Sequence, residues 1–403
     1  MNIRSYALVT AAYWAFTLTD GALRMLVLLH FCEMGFSPVH LSYLFVLYEC
    51  CGVLTNFLGG WLGSRTGLKL TLFVGLFIQI LALVQLSLLQ ESWGRWIAIA
   101  YVMSSQALSG IAKDLTKMSA KSAVKFLARD ASGEENQSRL FKWVALLTGS
   151  KNALKGIGFF VGGLLLGLVG FQGALWLMAG SLVIILLLAL IGLREDIGKA
   201  KQKVKFTHLF SKSREINLLS AARLFLFGSR DAWFVVGLPV FLKEVLDWSF
   251  SGVGAFMAAW VIGYGLVQAG APRLLGQSGS LSRGIGASRI WVGILLLVSI
   301  GLASMVQWSA YLELSVLIGL LLFGIVFALN SSVHSYLILA FTNEDQVAVD
   351  VGFYYMANAW GRLIGTLVSG WAYLAGGLVL CLWAAAGMIG LAALFTLFLP
   401  RPR

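Results

Sequence analysis

The sequence predicts an all-α membrane protein with twelve transmembrane helices, built as two six-helix repeats in parallel orientation with both termini in the cytoplasm. Composition, segment length and internal repetition lead to this fold class. The 403 residues are 59% hydrophobic and 12% charged, with a mean hydropathy of +0.85. Soluble domains carry about 25% charged residues. The composition therefore excludes a soluble fold and indicates a multi-pass membrane protein.

Apolar segments follow one another along the chain, and each reaches the ~20 residues that one membrane crossing requires. The predicted spans are residues 6–31, 39–62, 68–90, 96–116, 140–168, 171–193, 216–243, 249–271, 287–307, 311–338, 345–372 and 374–399. Residues 1–6 lead into the first span without a small-residue cleavage site, so no cleavable signal peptide is expected. The 45 glycines suit packed membrane helices, because glycine lets two backbones approach closely.

The loops predict the orientation, because cytoplasmic loops of membrane proteins are rich in lysine and arginine. On the side opposite the N-terminus the basic residues are Arg95 and Lys243. The cytoplasmic side carries Arg4, Arg65, Lys69, Lys117, Lys121, Lys125, Arg129, Arg139, the basic residues of segment 194–214, Arg273, Arg283, Arg289, Arg401 and Arg403. This asymmetry places both termini inside, and it accounts for the net charge of +12 without a nucleic-acid partner.

The two halves of the chain repeat each other. A shift of 211 residues brings Asp20 onto Asp231, and a shift of 207 residues brings Lys155 onto Arg362. Further pairs under these shifts are Gly52 with Gly263, Gly59 with Gly270, Gly158 with Gly365, Gly163 with Gly370, Gly170 with Gly377, Trp176 with Trp383 and Gly180 with Gly387. We therefore expect an N-terminal six-helix bundle, a basic cytoplasmic linker and a C-terminal six-helix bundle, at residues 1–193, 194–215 and 216–403.

The turn after the second span reads GWLGSRTGLK over residues 60–69. It resembles the G-x-x-x-D-R-x-G-x-K signature that major facilitator transporters carry between helices two and three. Gly60, Arg65, Gly67 and Lys69 match the signature, whereas Ser64 replaces its acid. Two parallel repeats are also the architecture of that superfamily. The resemblance implies a major facilitator fold, and the turn itself says nothing about cargo.

Lys151 and Lys155 stand out because they lie inside the fifth predicted span. Counted from Lys142 at 1.5 Å per residue, they lie about 14 and 20 Å deep, in a hydrocarbon core about 30 Å thick. A charge at such depth costs about 2.5–3.5 kcal/mol on insertion scales and is therefore interpreted as functional. Two fixed positive charges near the midplane indicate an anionic cargo.

The candidate substrate-binding residues are Lys151, Lys155, Arg362, Arg230, Tyr354 and Asn358. Lys155 and Arg362 occupy equivalent places in the two halves, which predicts that both face a shared central cavity. Arginine offers a fork that fits phosphate-like oxygens, and lysine offers a point charge. Tyr354 and Asn358, like His334, Asn330 and Tyr355, are polar groups that would serve equally well in interhelical hydrogen bonds.

The candidate coupling or gating residues are Asp20, Arg24, Glu49 and Asp231. One interpretation is that a carboxylate carries a coupling proton or controls the gate by pairing with the cationic site. The other is a set of permanent structural ion pairs, since charges inside membranes usually pair. Counting the mid-membrane charges leaves a surplus of two cations, which a purely structural network would not need. Arg223 and Lys113, nearer the cytoplasmic face, would extend an access path.

The sequence contains no catalytic or nucleotide-binding motif, such as H-E-x-x-H, G-x-S-x-G or a Walker sequence. The four cysteines lie in or beside apolar spans without a C-x-x-C pair, which favours small buried side chains over a metal site. We therefore expect a secondary transporter rather than an enzyme, with no cofactor and no metal.

Five long blocks of the chain resemble one transporter family. They are AYWAFTLTDGALRMLVLLHF at 12–31 and the segments 107–125, 140–160, 216–242 and 260–272. These blocks are similar to the ArsJ family of organoarsenical efflux permeases. The resemblance implies a bacterial inner-membrane transporter that expels 1-arseno-3-phosphoglycerate, the ester that glyceraldehyde-3-phosphate dehydrogenase forms when arsenate replaces phosphate. It implies arsenate detoxification, with the dehydrogenase as functional partner.

The mechanism expected from these observations is alternating access around a central basic site, with proton antiport through Asp20, Glu49 or Asp231, by a monomer in the lipid bilayer. Two alternatives remain open. One is a transporter of another organic phosphate, by phosphate exchange, which mid-membrane cations suit equally well. The other is a membrane scaffold that binds the dehydrogenase through loop 117–139 or 194–214.

Overall fold

The computed structural model describes residues 3–66, 68–90, 92–127, 134–193, 213–274, 281–308, 311–341 and 347–400. Every regular element in these ranges is an α-helix, as predicted. A helix satisfies all its backbone hydrogen bonds internally, which a chain in hydrocarbon requires. The helices are α1 (Ile3–Glu33), α2 (Pro38–Tyr43), α3 (Val46–Thr66), α4 (Leu68–Ser87), α5 (Arg95–Leu127), α6 (Glu134–Gly192), α7 (Arg214–Phe234), α8 (Gly237–Glu244), α9 (Phe250–Leu274), α10 (Leu281–Trp308), α11 (Leu312–Phe341) and α12 (Val347–Leu397).

The described residues contain nine helical segments that are long and apolar enough to cross a membrane. Two of these, Ser150–Gly192 and Asp350–Leu397, have 43 and 48 residues, which is the length of two crossings each at ~20 residues per crossing. Each contains a glycine with positive φ, Gly170 (φ 70°) or Gly377 (φ 62°), a conformation that glycine adopts readily. These two glycines were predicted to be equivalent, and both mark the boundary between two crossings.

The second and seventh predicted spans correspond to the candidate crossings Pro38–Asn56 and Arg214–Glu244, but each contains a break that the sequence did not predict, between α2 and α3 and between α7 and α8. The last break lies at Gly376–Gly377 rather than at residue 373. At the break between α7 and α8, the backbone N–H groups of Val236 and Gly237 donate to Ser369 Oγ, at 3.3 and 3.0 Å. A hydroxyl from α12 thus satisfies donors that would otherwise be unpaired in a buried, water-poor position.

The chain forms two compact units. Unit 1 comprises Met1–His30, Leu58–Phe206 and Phe250–Val261, and unit 2 comprises Phe31–Phe57, Thr207–Ser249 and Ile262–Arg403. Both units draw on both halves of the sequence. The predicted linker lies almost entirely outside the described residues, and the division of the chain into two six-helix bundles there stays a prediction.

Close backbone contacts inside each unit follow the repeat. In unit 1, a Cβ added to Gly21 of α1 would lie 2.7 Å from the Lys155 carbonyl oxygen and 3.3 Å from Gly158 Cα of α6. In unit 2, Gly365 of α12 meets the Gly228 carbonyl of α7 in the same way. Gly158 and Gly365 are the pair that the 207-residue shift predicts to be equivalent. Equivalent glycines therefore make equivalent helix contacts.

Candidate functional site

The charged side chains of unit 2 are arranged along α7. Arg223, Phe227 and Arg230 are spaced by four and three residues, which places them on one face of the helix. The Phe227 ring centroid lies 3.9 Å from Arg223 Cζ and 5.0 Å from Arg230 Cζ. One aromatic ring thus contacts two guanidinium groups, an arrangement that stabilises cations where water is scarce.

Arg230 and Arg362 share a carboxylate. Arg230 Nε donates to Asp231 Oδ1 at 2.7 Å, and Arg362 Nε donates to Asp231 Oδ2 at 3.3 Å. Arg362 Nη2 also donates to Glu49 Oε1 at 2.5 Å. Glu49 and Asp231 side chains are each 1% exposed. We call Glu49, Arg230, Asp231 and Arg362 the Arg362 centre.

The close approach of α7 and α12 positions the Arg362 centre. A Cβ on Gly365 would lie 2.9 Å from Asp231 Cβ, and Gly361 packs against the Leu224 backbone. Larger residues at either glycine would separate the helices, and Arg362 would then lose its contact with Asp231. Glu49 reaches the same arginine from α3, so residues 313 positions apart in sequence form one ion pair.

The Arg362 centre brings together four residues that the sequence assigned to different roles. Glu49 and Asp231 were predicted as coupling residues, and Arg230 and Arg362 as substrate-binding residues. Glu49 lies on α3, and its arginine partner comes from α12. The two cations and two anions cancel in charge, which a buried network requires.

A second arginine in unit 2 has different partners. Arg223 is 5% exposed. Its Nε donates to Asn358 Oδ1 at 3.0 Å, and its Nη1 donates to the Ser331 carbonyl oxygen at 3.3 Å and to Ser331 Oγ at 3.1 Å. The Tyr354 ring centroid lies 5.1 Å from Arg223 Cζ. Among the described residues, these neutral groups are its hydrogen-bond acceptors, and no carboxylate lies within ion-pair distance.

The polar surroundings of Arg223 extend along α11 and α9. The Tyr264 hydroxyl donates to Ser331 Oγ at 3.3 Å. Asn330 and His334 of α11 are fully buried, and neither side chain has a hydrogen-bond partner in the described parts of the chain. We call Arg223, Asn330, Ser331, His334, Tyr354 and Asn358 the Arg223 cluster. The predicted site residues Tyr354 and Asn358 belong to this cluster and contact Arg223 rather than Arg362.

The sequence analysis placed Arg223 on an access path and did not predict its contacts with Tyr354 and Asn358. The signal that would have found it is its spacing from Arg230, two helical turns along α7 with Phe227 between them. A segment that reads R-x-x-x-F-x-x-R within an apolar span places two costly cations on one helix face.

The remaining predicted residues lie in unit 1. Asp20 is 8% exposed, and Arg24, Lys151 and Lys155 are half-buried. Lys155 Nζ lies 5.6 Å from the Phe159 ring centroid, and Trp14 Nε1 donates to Ser150 Oγ at 2.9 Å, which ties α1 to α6 beside Lys151. The prediction that Lys155 and Arg362 face one cavity concerns residues of different units, and it stays a prediction.

No group of three or more metal-ligating side chains lies together among the described residues. The four cysteines are free thiols, and Cys32 Sγ donates to Glu244 Oε1 at 3.5 Å. The side chains of the signature turn at 60–67 lie outside the described residues, so that resemblance rests on sequence.

Comparison with known proteins identifies the fold. The sequence profile described as Major Facilitator Superfamily matches residues 6–278. No curated protein matches the chain. Among solved structures, the chain is similar to the crystal structure of a bacterial homologue of iron transporter ferroportin in the inward-facing state. The two share 15% identity with a TM-score of 0.72 over 98% of this chain and 99% of that one. At this identity the likeness concerns the fold and carries no information on cargo.

Proposed function

Since the chain belongs to the Major Facilitator Superfamily and is a multi-pass membrane transporter, we propose that it exports 1-arseno-3-phosphoglycerate across the bacterial inner membrane and so detoxifies arsenate. Glyceraldehyde-3-phosphate dehydrogenase would supply the ester inside the cell. The resemblance of five sequence blocks to the ArsJ permeases supports this cargo. The cargo carries a phosphate and an arsenate ester, which together bear several negative charges.

The observation that carries the proposal is the abundance of cations on membrane-spanning helices. Lys151 and Lys155 lie on α6, Arg223 and Arg230 on α7, and Arg362 on α12, all buried or half-buried. Placing cations in a membrane is unfavourable unless they pair or bind an anion. Arginine forks and lysine point charges together suit a ligand with two oxyanion ends.

The transport cycle would be alternating access, coupled to proton antiport through the Arg362 centre or Asp20. Arg362 holds Glu49 and Asp231 at once. A proton on either carboxyl would remove one ion pair and free part of the guanidinium fork for a different arrangement. Protonation would therefore favour one conformation of the contact between α7 and α12 over the other, and a proton could shift the equilibrium between the two.

Two other functions would use some of the same features. An organic phosphate antiporter would need the same cations, and counter-transport of phosphate distinguishes it. A scaffold for the dehydrogenase would need the loops 117–139 or 194–214 and would survive loss of Lys155. No contact among the described residues favours either over export of the arsenate ester.

The test is arsenic uptake into everted membrane vesicles. Arsenate is supplied with glyceraldehyde 3-phosphate, the dehydrogenase and its nicotinamide cofactor, and each component is then omitted in turn. Wild type is compared with Lys155→Ala and Arg362→Ala at matched expression. We expect uptake that needs the full mixture and fails in both variants. Equal uptake of arsenate alone would exclude the ester as cargo, and unchanged uptake in both variants would move the binding site elsewhere.

A further inference from the structure

Among the described residues of unit 2, Arg223 is a buried cation with no carboxylate within ion-pair distance. Its acceptors are an amide oxygen, a carbonyl oxygen and a hydroxyl, which together supply no negative charge. Arg230 and Arg362, on the same pair of helices, each hold a carboxylate. Such a guanidinium in a membrane protein is expensive unless an anion from outside the chain neutralises it.

The guanidinium is fixed by two of its nitrogens and keeps the third for another partner. Nε and Nη1 bond to α12 and α11, whereas Nη2 donates to no described residue. Since Nε and Nη1 anchor the plane of the group, the direction of the Nη2 hydrogens is set before any ligand arrives. A donor held in advance loses little freedom on binding.

Other polar groups of the Arg223 cluster have no partner among the described residues. The Tyr354 hydroxyl, both amide atoms of Asn330 and both ring nitrogens of His334 are buried and bond to no described residue. These groups can both donate and accept, since a neutral imidazole offers one donor and one acceptor. Tyr354, Asn330 and His334 are each 0% exposed. Asn330 precedes Ser331, the residue that holds Arg223, and His334 lies one turn further on the same face of α11. Buried polar groups almost always have hydrogen-bond partners, so several such groups in the cluster of one uncompensated cation suit the binding of a polar anion together with its water.

An apolar wall encloses the position. Tyr354 packs in a cluster of buried side chains that includes Leu219 of α7 and Val333 and Leu337 of α11. In such surroundings a charge-assisted hydrogen bond is stronger than in water. The low polarity of the wall and the uncompensated charge of Arg223 both favour an anion over a cation or a neutral sugar.

We propose that the Arg223 cluster is the subsite that binds one oxyanion group of the transported molecule, a phosphate or arsenate monoester, or a carboxylate. The identity of the cargo rests on the proposed function, whereas the class of ligand rests on the cluster. Arg230 and Arg362 are paired with Glu49 and Asp231 in this structure, so an oxyanion gains most at the uncompensated Arg223. This assigns recognition and coupling to separate positions on α7 and α12.

The competing explanation is that Arg223 only ties α7 to α11 and α12. A tie needs the bonds from Nε and Nη1, and it makes no use of Nη2 or of the unpartnered groups on Asn330, His334 and Tyr354. The two explanations therefore differ in whether adding an oxyanion changes the protein. Arg289 offers a matched control, because its Nη2 also bonds only to neutral oxygens, the carbonyls of Leu397 and Leu399.

The experiment is titration calorimetry on the purified full chain in lipid nanodiscs, with 3-phosphoglycerate as the probe and inorganic phosphate and glycerate in separate titrations. Wild type is compared with Arg223→Gln, Arg223→Lys and Arg289→Gln. We expect Arg223→Gln to weaken 3-phosphoglycerate binding about 10- to 100-fold, the loss of one charge-assisted hydrogen-bonded contact. Arg223→Lys keeps the charge without the fork and should fall in between, and Arg289→Gln should bind as wild type does.

A readout of folding keeps the result interpretable. Asn330→Leu and Tyr354→Phe remove buried polar groups that bond to nothing in the described chain while keeping most of the side-chain volume. They should therefore not lower the thermal stability of the ligand-free protein, and they should still weaken binding of the probe severalfold. The proposal is overturned if Arg223→Gln and Asn330→Leu bind 3-phosphoglycerate as wild type does. If inorganic phosphate binds and glycerate does not, the cluster binds the phosphate end of the probe. If glycerate binds and phosphate does not, it binds the carboxylate end.

The subsite and the proposed function can fail separately. If 3-phosphoglycerate binding depends on Arg223 but vesicles take up no arsenic from the full mixture, the subsite stands and the cargo is a different organic anion. If uptake needs the full mixture and Arg223→Gln changes neither binding nor uptake, the function stands and the subsite is wrong.

Discussion

The Arg362 centre and the Arg223 cluster place the same guanidinium group in opposite surroundings. Arg362 contacts two carboxylates that are each 1% exposed, whereas Arg223 contacts an amide, a hydroxyl and a carbonyl. Both lie between α7 and α12 in one compact unit. The comparison teaches that depth and residue type do not decide the role of a buried cation. The charge of its partners does.

A neutralised arginine and an uncompensated one respond differently to mutation. Removing the first leaves two buried carboxylates with one remaining arginine, which destabilises the fold. Removing the second takes away a charge that the fold did not balance, so stability suffers little and ligand binding suffers most. Loss of stability and loss of binding therefore separate the two centres.

The largest effect is expected for Arg362→Ala. It removes the arginine partner of Glu49 and leaves Asp231 to Arg230 alone, and breaking a buried ion pair by removing one partner costs about 3–5 kcal/mol. We expect thermal unfolding of the purified protein to shift downward and transport to fall by more than ~100-fold. Adding Glu49→Gln to this variant leaves Arg230 paired with Asp231 and should recover much of the stability without restoring transport. If the Arg362→Ala protein were as stable as wild type, the ion pairs of the Arg362 centre would not stabilise the fold, and the proposed difference between the two centres would be wrong.

Glu49→Gln should have the next largest effect, and it sharpens the comparison by neutralising one partner. The amide oxygen still accepts a hydrogen bond from Arg362, so the fold keeps the contact while the exchangeable proton is lost. We expect transport driven by a proton gradient to fall about tenfold or more, since a positioned proton-transfer group contributes about 10²- to 10⁴-fold in catalysis. Binding of 3-phosphoglycerate should be retained. Transport that keeps its full response to the gradient would exclude Glu49 as the coupling group.

Ser369→Ala tests the helix break that follows the Arg362 centre. The serine hydroxyl accepts from Val236 and Gly237, and both donors would be left buried and unpaired. We expect a loss of about 1–3 kcal/mol in unfolding free energy. Ser369→Thr, which keeps the hydroxyl, serves as control. If alanine and threonine behave alike, the hydroxyl does not hold the break between α7 and α8.

The sequence predicted the fold better than the site. Apolar runs of ~20 residues and a repeated pattern of glycines determine helices and their close contacts, because both depend on local composition. Gly170 and Gly377 were paired in sequence, and both adopt positive φ at a boundary. The sites depend instead on which side chains meet across helices, and spacing along one helix does not show this. The contact of Arg362 with Glu49, 313 positions away in sequence, is of this kind, and the prediction that Arg362 binds cargo stays a prediction.

The smallest effect is expected for Phe227→Leu, which removes the ring that links the two centres. The ring lies 3.9 Å from Arg223 Cζ and 5.0 Å from Arg230 Cζ, and a cation–π contact is worth about 0.5–2 kcal/mol. Because Arg223 has no carboxylate and Arg230 has Asp231, the loss should fall mainly on Arg223. We expect 3-phosphoglycerate binding to weaken about two- to tenfold, with little change in the Arg362 centre. Phe227→Tyr keeps the ring and should bind as wild type does. Lower thermal stability with unchanged 3-phosphoglycerate binding would mean that the Phe227 ring stabilises Arg230 rather than Arg223.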